Sequence, residues 1–139
     1  MTKKILSILF LFTILPVAAA NWSQIFPKTW YDTNSLTRKG NIVRVWIKDL
    51  NPGDWDNVNN KKVWYYMREV EADCANRKLR LVNNIAFDLK GNSIYNFTNP
   101  EIKRQYDYGE SKFYSDEIWE PSVPGTASEN IYNFMCSQN

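Results

Sequence analysis

Cys74 and Cys136 are the only two cysteines in a chain of 139 residues, and what precedes them decides their chemistry. Lys3 and Lys4, the almost wholly apolar run from Ile5 to Leu15 and the small residues Ala18, Ala19 and Ala20 make up the three parts of a secretory signal, with cleavage expected between Ala20 and Asn21. The apolar run falls short of the roughly 20 residues that span a bilayer, so stable membrane insertion is not expected. No cysteine follows that run, so a lipid anchor is not expected either. In the periplasm or outside the cell, two thiols most simply form one bridge. Joining Cys74 to Cys136 closes a loop of about 60 residues, which on the chain-entropy account removes roughly 4 kcal/mol from the unfolded state. That is a large share of a small domain's stability.

Residues 1–20 are thus read as a cleaved signal peptide and residues 21–139 as one domain, which is ordinary single-domain size. Lys3 and Lys4 account for the whole net charge of +2; beyond them, basic residues match the 15 acidic ones. A balanced charge argues against a nucleic-acid partner, which would require a surplus of Lys and Arg to neutralise phosphates.

The middle of the chain alternates with the period of β-structure. With Ala75 and Asn76 in a turn, Ala72 faces Leu79, Val70 faces Leu81, Tyr66 faces Ile85 and Trp64 faces Phe87 on one side, which satisfies the test of register. Arg68 opposite Asn83 is the exception on that apolar side. The other side pairs Asp73 with Lys78 and Glu71 with Arg80, opposite charges that suit a solvated face. Lys39-Gly40 and Lys90-Gly91 are candidate two-residue turns, pairing Leu36 with Val43 and Phe87 with Ile94. A further strand is expected around Lys28 to Tyr31.

Beyond Pro124-Gly125 the period changes. Thr126-Ala127-Ser128-Glu129 has the spacing of a capping box, and Ala127, Ile131, Phe134 and Met135 follow on one helical stripe. The expected fold is therefore α+β: an antiparallel meander of five to six strands with a C-terminal helix covering its apolar face. Cys74 falls on that face and Cys136 in the helix's last turn, so the bridge reads as a clamp between sheet and helix. The stretches 49–60 and 97–118 fit no regular element and are expected as loops.

The chain contains no histidine, which removes the commonest general base, triad member and zinc ligand. Glu69, Glu71 and Asp73 alternate along one strand, but as a solvated row with cross-strand partners they are not expected to be catalytic. Asp54-Trp55-Asp56 has the start of a calcium loop, yet Val58 sits where the next ligand belongs and no glycine follows. No enzyme activity, cofactor or metal is expected. Aromatic residues make up 15% of the chain, more than one sheet face and one helix can obviously bury, so some of Trp46, Trp55, Tyr65, Tyr108 and Tyr114 should be exposed. Exposed aromatic rings beside charges suit contacts with protein or glycan. Tyr106, Tyr108, Phe113 and Tyr114, in the long 97–118 connection, are the candidate partner-binding residues.

Trp22, Tyr31-Asp32, Ser35-Leu36, the run Gly40-Asn41-Ile42-Val43-Arg44-Val45-Trp46, Asp73-Cys74 and Val123-Pro124-Gly125-Thr126 before Cys136 occur in an order and spacing that resembles the bacterial surface-adhesin protein E family. The resemblance covers about Trp22 to Ser137. It implies a sheet whose concave face is tied to a C-terminal helix by a disulfide, binding to host matrix or plasma proteins, and self-association as a homodimer. The expectation for this chain is an exported, non-enzymatic binding domain, periplasmic or at the cell surface. The alternative is an accessory periplasmic protein within an envelope assembly, with a bacterial envelope protein as partner.

Overall fold

A computed structural model describes residues 19–50, 57–99 and 119–138. Among these residues ten strands precede one helix: β1 (Trp22–Phe26), β2 (Thr29–Asp32), β3 (Thr37–Lys39), β4 (Ile42–Leu50), β5 (Asn57–Val58), β6 (Lys61–Lys62), β7 (Tyr65–Asp73), β8 (Lys78–Phe87), β9 (Ser93–Thr98), β10 (Glu120–Pro121) and α1 (Ala127–Ser137). Eight of them form one sheet in the order β1-β2-β4-β7-β8-β10, with β3 also on β4 and β9 also on β8; β5 and β6 pair separately. All pairings are antiparallel.

The sheet has eight strands where five to six were expected, because two of its six ranks are broken. β2 and β3 lie end to end along β4, separated by a turn in which the Asp32 carboxylate accepts from the Asn34 amide at 3.0 Å. β9 and β10 likewise share the edge of β8. The loop expected over 49–60 is partly strand, since β4 runs to Leu50 and β5 begins at Asn57; Phe97 and Thr98 similarly belong to β9.

At the β7–β8 turn the expected register is found. Ala72 pairs with Leu79, Val70 with Leu81, Glu71 with Arg80 and Asp73 with Lys78, while the Asp73 carboxylate caps the turn by accepting from the amides of Ala75 at 3.0 Å and Asn76 at 3.1 Å. Further along, the expected pairs fail. A bulge inserts Val82, so Glu69 faces Asn83, Arg68 faces Asn84, Met67 faces Ile85 and Tyr65 faces Phe87. One extra residue turns every later β8 side chain to the opposite side of the sheet. Ile85 and Phe87 therefore leave the helix-covered face, and Asn84 and Ala86 enter it.

The flanking turns are also shifted. The first has Gly40-Asn41 as its two loop residues, with Lys39 opposite Ile42 and Arg38 opposite Val43. Leu36 precedes β3 and packs on the core instead of pairing. Gly40 takes φ 60° at the first loop position, where a side chain would be strained. The second loop is longer than two residues, because Phe87 pairs with Ser93. Asp88 organises it by accepting from the Lys90 amide at 3.0 Å and the Asn92 amide at 2.8 Å.

The core lies between the sheet and α1: Val43, Val45, Ile47, Val70, Ala72 and Leu79 from the strands against Tyr132 and Met135 from the helix. Cys74 and Cys136 are disulfide-bonded across this interface with their Cα atoms 5.6 Å apart. Beside the bridge the Tyr132 hydroxyl donates to the Cys74 carbonyl at 2.9 Å. Phe134 meets Tyr31 with ring centroids 4.7 Å apart. The helix begins where expected, but the reciprocal capping box is not formed. Thr126 donates its hydroxyl to the Val123 carbonyl at 2.6 Å, and Glu129 accepts from the Gly125 amide at 2.8 Å. Among the described residues, no helix is long and apolar enough to cross a membrane.

Candidate functional site

Register divides the sheet into a helix-covered face and an outer face, and the outer face has two halves of different chemistry. The polar half is centred on Glu71, which is only 4% exposed. One of its oxygens accepts from Arg44 Nε at 2.8 Å and pairs with Arg44 Nη2; the other accepts from Arg80 Nε at 2.6 Å and lies 2.6 Å from Arg80 Nη2. The network extends through Glu69, which accepts from Asn83 Nδ2 at 2.6 Å, to Thr98, whose hydroxyl donates to Asn83 Oδ1 at 2.7 Å. The Trp119 ring, itself buried, covers the Arg80 guanidinium at 4.5 Å.

The row of carboxylates is therefore on the expected side but is not solvated. Glu71 and Asp73 are both buried: ordered arginines and the Trp119 ring lie over the charged row where water was expected. A carboxylate whose two oxygens are each engaged by a guanidinium is a structural cross-tie, and buried ions are tolerated because each is hydrogen-bonded.

The other half is aromatic. Trp30 lies opposite Lys48 in the β2–β4 pairing, Leu50 opposite Tyr65 between β4 and β7, and Tyr65 opposite Phe87 between β7 and β8. With Trp22 from β1, these side chains make an apolar band across five strands. Trp22, Trp30, Lys48 and Leu50 enclose a hollow of about 200 Å³. Lys48 Nζ sits 4.5 Å above the Tyr65 ring and 6.0 Å from that of Trp22. Tyr65 and Phe87 stack at 4.7 Å with planes 10° apart. The members of this band are half-buried. An antiparallel sheet covered on one side by a helix normally turns polar residues outward on the other, so an outward aromatic band calls for an explanation in binding.

The residues singled out from sequence fall in different places. Cys74 and Cys136 meet. Ala20 and Asn21 lie at the start of the described chain, where the Asn21 amide donates to Asp32 Oδ1 at 2.9 Å. Tyr106, Tyr108, Phe113 and Tyr114, like Trp55, lie outside the described residues. Trp46 and Tyr65, expected among the surplus aromatics, are half-buried, while Trp64 and Tyr95 are more exposed, at 45% and 39%. Sequence reasoning missed Trp22 and Trp30 as neighbours. Finding them required the β1–β2 hairpin, whose turn at Pro27-Lys28 has Lys28 at φ 67° and carries no glycine to announce it.

Comparison with known proteins agrees with this architecture. The family described as Surface-adhesin protein E matches residues 22–137. The crystal structure of protein E from non-typeable Haemophilus influenzae is similar in fold, with a TM-score of 0.50 and 11% identity, over 88% of this chain and 80% of that one. No curated protein matches the chain. With the family match spanning nearly all of the described domain, the chain belongs to the surface-adhesin protein E family.

Proposed function

We propose that the chain is an exported, non-enzymatic binding domain that docks a protein partner on the outer, aromatic half of its sheet. The observation that carries this reading is the band formed by Trp22, Trp30, Leu50, Tyr65 and Phe87 around Lys48. Rigid aromatic rings beside a cation are the residues that dominate protein interfaces, because they bury large areas at little cost in conformational entropy. Export follows from the tripartite segment over residues 1–20, with cleavage at Ala20 and Asn21. Cleavage would place the new α-ammonium of Asn21 beside the Asp32 carboxylate, locking β1 to β2 at the end that carries Trp22. The disulfide fits the same compartment.

The test is capture of purified host matrix proteins, and separately of solubilised envelope proteins, by the wild type, by a Trp22→Ser/Trp30→Ser variant and by a chain lacking residues 101–115. The double substitution should weaken capture by roughly tenfold or more, since single aromatic anchors commonly carry that much. Its melting temperature should stay close to the wild type's. Capture unaffected by the tryptophans but abolished by the deletion would move the docking site to the segment carrying Tyr106, Tyr108, Phe113 and Tyr114. Self-association that consumes the aromatic band, seen as a dimer in which the tryptophans are protected, would make a second copy of the chain the partner. Capture of envelope protein alone would favour an accessory role inside the envelope.

A further inference from the structure

Lys48 is a cation set among apolar side chains. It lies opposite Trp30 on β2 and Met67 on β7, and Trp46 and Leu50, two residues away along β4, share its face of the sheet. Its ammonium is 4.5 Å from the centre of the Tyr65 ring and 6.0 Å from that of Trp22, and the residue lines the hollow of about 200 Å³ with Trp22, Trp30 and Leu50.

Ring faces attract an ammonium through their quadrupole but carry no net charge, so they hold Lys48 in place without neutralising it. Among the described residues no carboxylate is paired with it. The acids on the same face are committed elsewhere: Glu71 to Arg44 and Arg80, Glu69 to Arg44 and Asn83, and Asp32 to the amides of Asn21 and Asn34. In the free protein water solvates the ammonium, and a docking partner removes that water. A partner that covered the band with apolar groups alone would leave a buried, uncompensated charge, which is costly, and a partner bringing a second cation would be repelled. A carboxylate brought to Lys48 removes that cost, and its attraction strengthens as the surrounding water is displaced.

We infer that the protein partner docks through an Asp or Glu side chain placed on Lys48 Nζ, with a neighbouring large apolar side chain in the hollow between Trp22 and Trp30. This rests on the docking face proposed above and names the chemistry that the face selects. The rings supply the area of contact, and the single cation decides which apolar segment is accepted.

The test uses the disulfide-bonded protein as bait for a random peptide library displayed on phage. Peptides whose capture is lost with Trp22→Ser/Trp30→Ser should be enriched in Asp or Glu next to Leu, Phe, Tyr or Trp. The tightest of them is then synthesised with both ends capped, so that no terminal carboxylate contributes, and its affinity is measured by calorimetry. Replacing its acid by the corresponding amide should weaken binding to the wild type by about fivefold or more. Lys48→Met should weaken the acidic peptide by a similar factor and should not weaken the amide peptide. Lys48→Glu should prefer the same peptide with Lys in place of the acid, and binding recovered in this way shows that the fold is intact. Tryptophan-dependent peptides without an acidic preference, an acidic peptide that binds Lys48→Met as tightly as the wild type, or a Lys48→Glu variant that still prefers the acidic peptide would each overturn the pairing with Lys48 and leave the docking face standing. Capture that ignores both tryptophans, or no capture of any peptide, would overturn the docking face and this inference with it.

Discussion

At the scale of single residues, the molecule depends on polar groups that the outer face of the sheet holds out of water. Glu71 is the sharpest case: both oxygens face guanidiniums and its side chain is 5% exposed, against 10% for Arg80 and 26% for Arg44. Removing one member of such a cluster leaves the others buried and uncompensated. Glu71→Ala should therefore lower unfolding stability by about 3 kcal/mol or more, measured by urea unfolding, while a loss below about 1 kcal/mol would mean that water already screens the cluster. Asp88 behaves differently because it lies at the surface. The Asn92 amide does most to hold its carboxyl below the ordinary range; desolvation opposes it, and the Asn92 side chain, the Lys90 amide and the Lys61 charge add to the lowering. A depressed carboxyl pKa stabilises the fold above the unfolded value, near 4, and that contribution disappears as pH falls through the folded value. Protection of the Lys90 and Asn92 amides, measured relative to their intrinsic exchange rates, should fall on acidification below about pH 4, and in Asp88→Asn this added pH dependence should vanish.

At the scale of elements, the tie between sheet and helix is the most consequential. The disulfide and the Tyr132–Cys74 hydrogen bond act at the same place. Replacing both cysteines by Ala should lower stability by roughly 4 kcal/mol on the loop-entropy account and should increase hydrogen exchange first in Ala127–Ser137. An unchanged melting temperature would refute the clamp. This element was legible in the sequence, because two independent periodicities placed Cys74 on the apolar face and Cys136 on a covering helix. The bulge was not legible: nothing in Leu81-Val82-Asn83 marks an insertion, and the unbulged register satisfied more apolar pairs. Arg68, the one charged residue assigned to the apolar side, did not mark it either, since the bulge leaves Arg68 on that side and changes only the β8 residue opposite it. In the folded sheet Arg68 faces Asn84 across that bulge. The eight-strand count was equally hidden, since a rank broken by the Asp32–Leu36 turn looks in sequence like a strand followed by a loop.

At the scale of the whole molecule, the bulge explains where the surplus aromatics go. The abundance of aromatic residues implied rings beyond the capacity of one core, and by turning Ile85 and Phe87 outward the bulge adds β8 to a band that Trp22, Trp30, Leu50 and Tyr65 form across the other strands. The domain thus has one face closed by a disulfide-tied helix and another that is charged at one end and aromatic at the other. The candidate residues from the 97–118 connection follow from its length and its aromatics among charges, whereas the band became visible only when register had put distant strands side by side. The most direct test of the account is oxidative footprinting of the protein free and bound to a captured partner, read residue by residue by mass spectrometry. Trp22, Trp30 and Tyr65 should lose reactivity on binding while the buried Trp119 does not change. Protection confined to the helix or to the β9 edge, with Trp22 and Trp30 as reactive as before, would contradict it.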